Sequence, residues 1–231
     1  MRRSTDHILT THGGNLPRPA DLDALLADAG GNRDAIQQRL PQAVAEVVDK
    51  QIACGLDVIN DGEYVKAANM GSYSSYISQR VSGWEDLPKK PGIAPKRAGP
   101  GERDRLDFPG FYESGLWFAG AGGPVRPGFM TPGKKPQPKD TEKVCTGAIA
   151  YQGHDAIAKD ITALKKGLGG RDGVDGFIAA LGPLSAGAGA RNEHYANEQD
   201  YMMAVAAAMR EEYKAITDAG LIVQIDEPEF A

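Results

Sequence analysis

A chain of 231 residues, 41% hydrophobic and 25% charged, has the composition of an ordinary globular protein, with room for one large domain or two small ones. A net charge of -5 gives no electrostatic reason to expect nucleic acid or an anionic membrane, and no apolar run approaches the roughly 20 residues that span a bilayer. Two cysteines, Cys54 and Cys145, are too few for a disulfide framework or a zinc cluster, so a cytoplasmic protein with reduced thiols is expected.

The start, Met1-Arg2-Arg3-Ser4-Thr5-Asp6-His7, lacks the apolar stretch of a secretory signal. His7 to His12 is short and β-leaning, and Gly13-Gly14-Asn15 with Pro17 and Pro19 breaks it at once, which predicts a strand and a loop. Asp21 to Ala29 reads as a short helix with Leu22, Leu25 and Leu26 on one face. A longer helix follows, with Leu40, Val44, Val47, Val48 and Ile52 at helical spacing, Pro41 in its first turn and Gly55 as its cap. Leu56 to Glu63 reads as a second strand that ends in acidic residues. Strand, helix, strand with no hairpin turn is a βαβ unit, so the strands should be parallel.

The middle differs. Glu85 to Lys143 holds ten of the fifteen prolines and ten glycines, which oppose regular structure. Trp84, Phe108, Phe111, Tyr112, Trp117, Phe118 and Phe129 argue against disorder. A long insertion folded over something is the expectation, with a lid and a subunit-contact arm equally open.

Val144 to Ala150 reads as a third strand, and Asp155 as the N-cap of a helix carrying Ile157, Ile161, Leu164 and Leu168. Val174 to Leu181 gives a fourth strand, followed by a Gly-rich loop at 182–189. A helix from about Asn197 to Ala219 buries Tyr201, Val205, Met209, Tyr213 and Ile216. It delivers the chain to a fifth strand, Leu221-Ile222-Val223-Gln224-Ile225, which runs into Asp226, Glu227 and Pro228. A buried strand loses heavily if it takes an unpaired carboxylate inside, so Asp226 and Glu227 are expected at a mouth, where strand becomes loop.

Read as parallel, the five strands bring polar residues to one end: His12, Glu63, Tyr151 with His154, Ser185, and Asp226 with Glu227. Each has a plainer reading. His12 alone is a loop histidine bonded to backbone, Glu63 a cap beside Asp61, His154 a helix start and His194 a surface residue. Cys145 in an apolar strand is a small buried hydrophobe rather than a nucleophile. The glycines at 182–189 lack a following Gly-Lys-Ser or Gly-Lys-Thr and read as a loop, not a phosphate cradle. Asp226 has the fewest structural explanations.

Ile8-Leu9-Thr10-Thr11-His12-Gly13-Gly14-Asn15-Leu16-Pro17-Arg18, Ile59-Asn60-Asp61-Gly62-Glu63 and Gln224-Ile225-Asp226-Glu227-Pro228 resemble the catalytic domain of cobalamin-independent methionine synthases. The His12 start and Arg191-Asn192-Glu193-His194-Tyr195 are nearer the shorter members, the archaeal-type methionine synthases and the epoxyalkane:coenzyme M transferases. The resemblance implies an α/β fold of (β/α)8 TIM-barrel type. Here it would be incomplete: a single domain holding the first five β/α units, with the 85–143 insertion after the second strand. It also implies methyl transfer from a methyltetrahydrofolate-type donor to the zinc-activated thiol of homocysteine, without cobalamin.

Glu63 and Asp226 match the acidic positions that hold the homocysteine amino group in that family. Asn15 and His12 belong to the same substrate-binding loop, and Ser185 and Glu227 are further candidates. Asn15 stands where the family has serine, and Tyr64 where a proline commonly follows the glutamate. The family's zinc ligands lie on strands after the fifth, and neither Cys54 nor Cys145 matches one, so no metal ligand and no catalytic residue is assigned. The chain is accordingly expected to be inactive alone. Alkyl transfer to coenzyme M or another thiol, and a non-catalytic subunit whose barrel is completed by a second chain or oligomer, are the alternative readings.

Overall fold

The structure is a computed structural model that describes residues 2–27, 31–66, 76–90, 107–110, 141–187 and 189–227. Its described elements are α1 (Ala20–Leu26), α2 (Arg33–Ala53), β1 (Val58–Ile59), α3 (Ile77–Arg80), β2 (Val81–Pro88), β3 (Thr141–Tyr151), α4 (His154–Leu168), β4 (Asp175–Leu181), α5 (Pro183–Gly187), β5 (Ala190–Asn192), α6 (Glu198–Asp218) and β6 (Ile222–Asp226). Together they make a mixed α/β fold with two three-stranded sheets, ordered β1-β4-β6 and β2-β3-β5.

The first sheet is parallel throughout, with Val58 opposite Asp175 and Phe177 opposite Ile222. β4 lies in its middle and is buried at every residue but Asp175, as a parallel strand covered on both faces must be. The segment around Thr10 forms no ladder strand, yet it runs beside β1 in the same direction. The Thr10 carbonyl accepts from the Val58 N–H at 3.0 Å, the Gly14 carbonyl from Asn60 Nδ2 at 3.0 Å, and Leu16 N–H donates to the Gly62 carbonyl at 3.2 Å. Asp57 fastens this segment by accepting from the Thr10 N–H at 2.8 Å and from Arg2. The Thr10 N–H, with His7, holds the Asp57 carboxyl well below the usual carboxylate range. Among the described residues β6 ends the sheet, and no barrel is closed.

The same cap leads into both β1 and β6. Gly55 (φ 78°) donates to the Ile52 carbonyl and Leu56 to that of Gln51, while Gly220 (φ 79°) donates to Thr217 and Leu221 to Ile216. This is the Schellman arrangement, which needs a left-handed residue after the helix and so favours glycine. α2 begins earlier than the sequence suggests. Pro41 sits inside the helix on its exposed face rather than in its first turn, and the apolar row Ile36, Leu40, Val44, Val47 and Val48 holds the helix together around it.

The third strand is the main correction. β3 pairs antiparallel with β2, with Val81 opposite Tyr151 and Pro88 opposite Thr141, and parallel with β5. It therefore belongs to the second sheet and not to a row of five parallel strands. An apolar run such as Val144 to Ala150 reads the same whichever way its neighbour runs, and its partner leaves the chain more than fifty residues earlier. The two ends of the expected insertion are thus strands. Most of its interior, with Phe111, Tyr112, Trp117, Phe118 and Phe129, lies outside the described residues, as does Pro228.

α6 joins the two cores. Tyr201, Val205 and Met209 pack with Val81, Cys145 and Ala190 against the second sheet, and Ile216 packs with α2, α4 and β4 against the first. Cys145 is buried, His154 opens α4, and His194 is exposed. No described helix is long and apolar enough to cross a membrane.

Candidate functional site

The rim of the parallel sheet is organised by Gln51, a buried amide near the end of α2. Its Nε2 donates to the Asn60 carbonyl at 2.7 Å, and its Oε1 accepts from the Asn60 N–H at 3.0 Å and from His12 Nε2 at 2.7 Å. The Gly14 N–H donates to His12 Nδ1 at 3.1 Å, so the neutral ring carries its proton on Nε2. Both ring nitrogens are engaged by the protein. His12 therefore positions the 12–16 loop, and it also meets the Phe177 ring edge-on at 5.6 Å. Asn15 is half-buried on this loop, next to Gly14.

After β1 the chain turns through Asn60, Asp61 and Gly62. Asn60 Oδ1 accepts from the Gly62 N–H at 2.8 Å and Asp61 Oδ1 from the Glu63 N–H at 2.9 Å. Glu63 is the one non-glycine described residue with a positive φ, 62°. For a residue with a Cβ that conformation stores strain and persists only where its surroundings enforce it. The result aims the Glu63 carboxyl at Gly14. A Cβ on Gly14 would lie 2.2 Å from Glu63 Oε1, so a side chain at either position alters the other. Glu63 is 6% exposed, and no hydrogen bond fixes its carboxyl among the described residues. Burial first, then the charges of Asp61 and Asp226, pushes its pKa up to about 8, with Lys66 acting weakly against them. Burial likewise raises Asp61.

Asp226 closes β6 at the same end. Gln224 Nε2 donates both to Asp226 Oδ1 at 2.9 Å and to the Gly13 carbonyl at 2.8 Å, which ties the last strand to the first loop. The structure thus brings Glu63 and Asp226, 163 residues apart in sequence, to one rim where the Asp226 charge acts on Glu63. Ser185 and Glu227 are instead engaged with each other. Ser185 Oγ donates to Glu227 Oε1 at 2.6 Å, and the Leu184 and Ser185 N–H groups donate to the same carboxylate at 2.8 and 2.9 Å. They lock α5 to the end of β6.

Beside the rim lies a buried ionic network for which the sequence reading had no place. Glu212, fully buried on α6, accepts from Tyr76 Oη at 3.0 Å, Arg80 Nη1 at 3.2 Å and Tyr151 Oη at 2.7 Å, and Lys66 Nζ stands 3.6 Å away. Arg80 also donates to Asp160 Oδ2 at 2.5 Å, and Lys66 donates to the Ala179 carbonyl. Burial alone would raise the Glu212 pKa, but Lys66, Arg80 and the Tyr151 hydroxyl outweigh it and hold it low. Tyr151 belongs here, so its expected place at the mouth is corrected: it ends β3 in the other sheet. A usable signal was present. Positions 205, 209, 212 and 216 share one face of α6, so Glu212 falls in a buried row. A cavity of about 640 Å³ opens between α2, α3 and α4, next to Lys66 and Arg80, and neither Glu63 nor Asp226 lines it.

No protein-family model matches the sequence, and no curated protein matches it. Among solved structures, the fold is similar to that of a B12-independent methionine synthase from Shewanella sp. W3-18-1 in complex with selenomethionine. The two superpose with a TM-score of 0.57 at 16% sequence identity, over 96% of this chain and 52% of that one. The likeness is one of fold. The chain spans about half the length of that methionine synthase. Among the described residues no three His, Cys, Asp or Glu side chains are grouped as a metal site requires, so the described residues do not by themselves fit a zinc centre.

Proposed function

We propose that this chain is part of a methionine synthase-like thiol methyltransferase, and that its rim binds the amino-acid end of homocysteine. The observation that carries this reading is the buried Glu63 carboxyl, unbonded among the described residues, facing Asp226 across the rim. Two carboxylates converging on one small space suit a primary ammonium, which offers three donors and one positive charge. Holding that end of the substrate would leave the thiol free to be presented to a methyl donor. Activation of the thiol is not assigned to any residue of this chain, because no described cluster could hold the metal. The architecture supports an open relative of a TIM barrel, in which Ile225, 51% exposed, and the edge of β6, unpaired among the described residues, are where a further β/α unit of this or a second polypeptide would extend the sheet.

Equilibrium dialysis tests the reading. L-homocysteine and L-methionine should bind, and their counterparts lacking the amino group should bind at least tenfold more weakly. Asp226→Asn should remove most of that preference. Tighter binding of coenzyme M than of homocysteine would overturn the assignment in favour of alkyl transfer to coenzyme M, since that thiol offers the carboxylates no ammonium.

A further inference from the structure

Among the described residues, every charged group facing the Glu63 carboxyl can be named. Asp61 precedes it in the same turn, Asp226 approaches from β6, and Lys66 follows it at the start of the next helical turn. His12, from the first loop, has both ring nitrogens committed to Gln51 and Gly14. Lys66, the one cation in this set, directs its Nζ to the Ala179 carbonyl and the Glu212 carboxylate, and it lies 4.2 Å from the centre of the Tyr76 ring. Glu63 is therefore a largely buried residue whose carboxyl is faced by two carboxylates and, among the described residues, hydrogen-bonded to no cation. Burial and like charge both favour its protonated form. Gly14 lies so close that even a methyl group there would collide with the carboxyl.

We propose that a primary ammonium entering this rim displaces one proton from Glu63, so that ligand binding releases a proton to solvent and strengthens as the pH rises. The step balances. The ligand arrives with its ammonium intact, Glu63 loses a proton to bulk buffer, and the new carboxylate–ammonium pair replaces the carboxylic acid. This rests on the ammonium-binding reading above but adds to it, because Asp226 alone could hold the same ligand without any proton leaving. Glu63, pushed up to about 8 by burial and by the charges of Asp61 and Asp226 and aimed at the rim beside Gly14, is the group that can do this.

Titration calorimetry of L-methionine into the chain at pH 7, in phosphate and in Tris, reads the proton count from the difference in heat between the buffers. About one proton should leave per ligand, and affinity should rise about tenfold between pH 6 and pH 7. Glu63→Gln should bind with no proton release, while Asp226→Asn should still release it, though binding more weakly. Binding with equal heats in the two buffers and an affinity flat with pH would overturn this inference and leave the ammonium reading standing. Absence of any binding by dialysis would overturn both.

Discussion

Glu212 and Glu63 are both nearly inaccessible to water, yet their surroundings treat them in opposite ways. Glu212 accepts three hydrogen bonds, has two cations beside it, and is held ionised. Glu63 has, among the described residues, no bond to its carboxyl, two carboxylates for neighbours, and a backbone conformation that glycine would adopt more readily. Burying an acid is costly in either case. At Glu212 the protein offsets the cost with its own donors, as it must if the group serves the fold. At Glu63 the cost is left standing. A carboxyl kept buried without a partner makes sense if the partner arrives from outside, which is why the rim and not the network is the candidate site.

The largest effect should come from removing the satisfied acid. Glu212→Ala removes the acceptor of Arg80 Nη1 and of two tyrosine hydroxyls and the carboxylate beside Lys66, and breaking a buried ion pair in this way costs about 3–5 kcal/mol. Denaturant unfolding should show that loss as a lower midpoint. A variant within about 0.5 kcal/mol of the parent would mean that water or a neighbouring residue already satisfies those groups.

Stability against pH separates the two glutamates further, because their shifts have opposite sign. Glu212 is lowered, so its contribution is present above the ordinary glutamate value and is lost as pH falls through its folded value. Glu63 is raised, so the folded protein holds a proton that the unfolded chain gives up between about pH 4.5 and pH 8, and stability declines across that window. Glu63→Gln has no proton to lose. It should therefore gain on the parent as pH rises from 5 to 9, by on the order of a few kcal/mol. Urea midpoints for the two proteins at pH 5 and pH 9 check this, and a constant gap between them would contradict the raised value.

Much of the frame was legible because it follows from periodicity. The apolar rows of α2, α4 and α6, the continuous run of β4, and the glycines that end α2 and α6 all stand where their spacing places them. The rim was legible for a related reason, since parallel strands entered from one side must leave their last residues on the other. What could not be read was anything set by partners distant in sequence. Val144 to Ala150 carries no mark of the antiparallel neighbour at Val81–Pro88, and Pro41 gives no sign that the rows on either side of it belong to one helix. Glu212 stands in a buried row of α6, but nothing along the chain marks Arg80, some 132 residues from it and 80 from Asp160, as the partner of both. His12 has both ring nitrogens bonded within the protein, in keeping with the plain reading of a bonded loop histidine.

The smallest expected effect tests where the rim stops. Ser185 and Glu227 were candidates because they sit at the same end of the sheet as Asp226, but their groups are turned toward each other. Glu227 has one serine hydroxyl and two backbone N–H groups as donors, so its carboxylate is satisfied as Glu212 is and unlike Glu63. Ser185→Ala removes one of the three bonds and leaves both backbone donors in place. The loss should be about 0.5–1.5 kcal/mol, read as a small drop in unfolding midpoint, with L-methionine affinity unchanged. An unchanged midpoint together with lost binding would reverse the assignment: the hydroxyl would then serve the ligand, and the boundary between satisfied and unsatisfied carboxyls would not mark the boundary of the site.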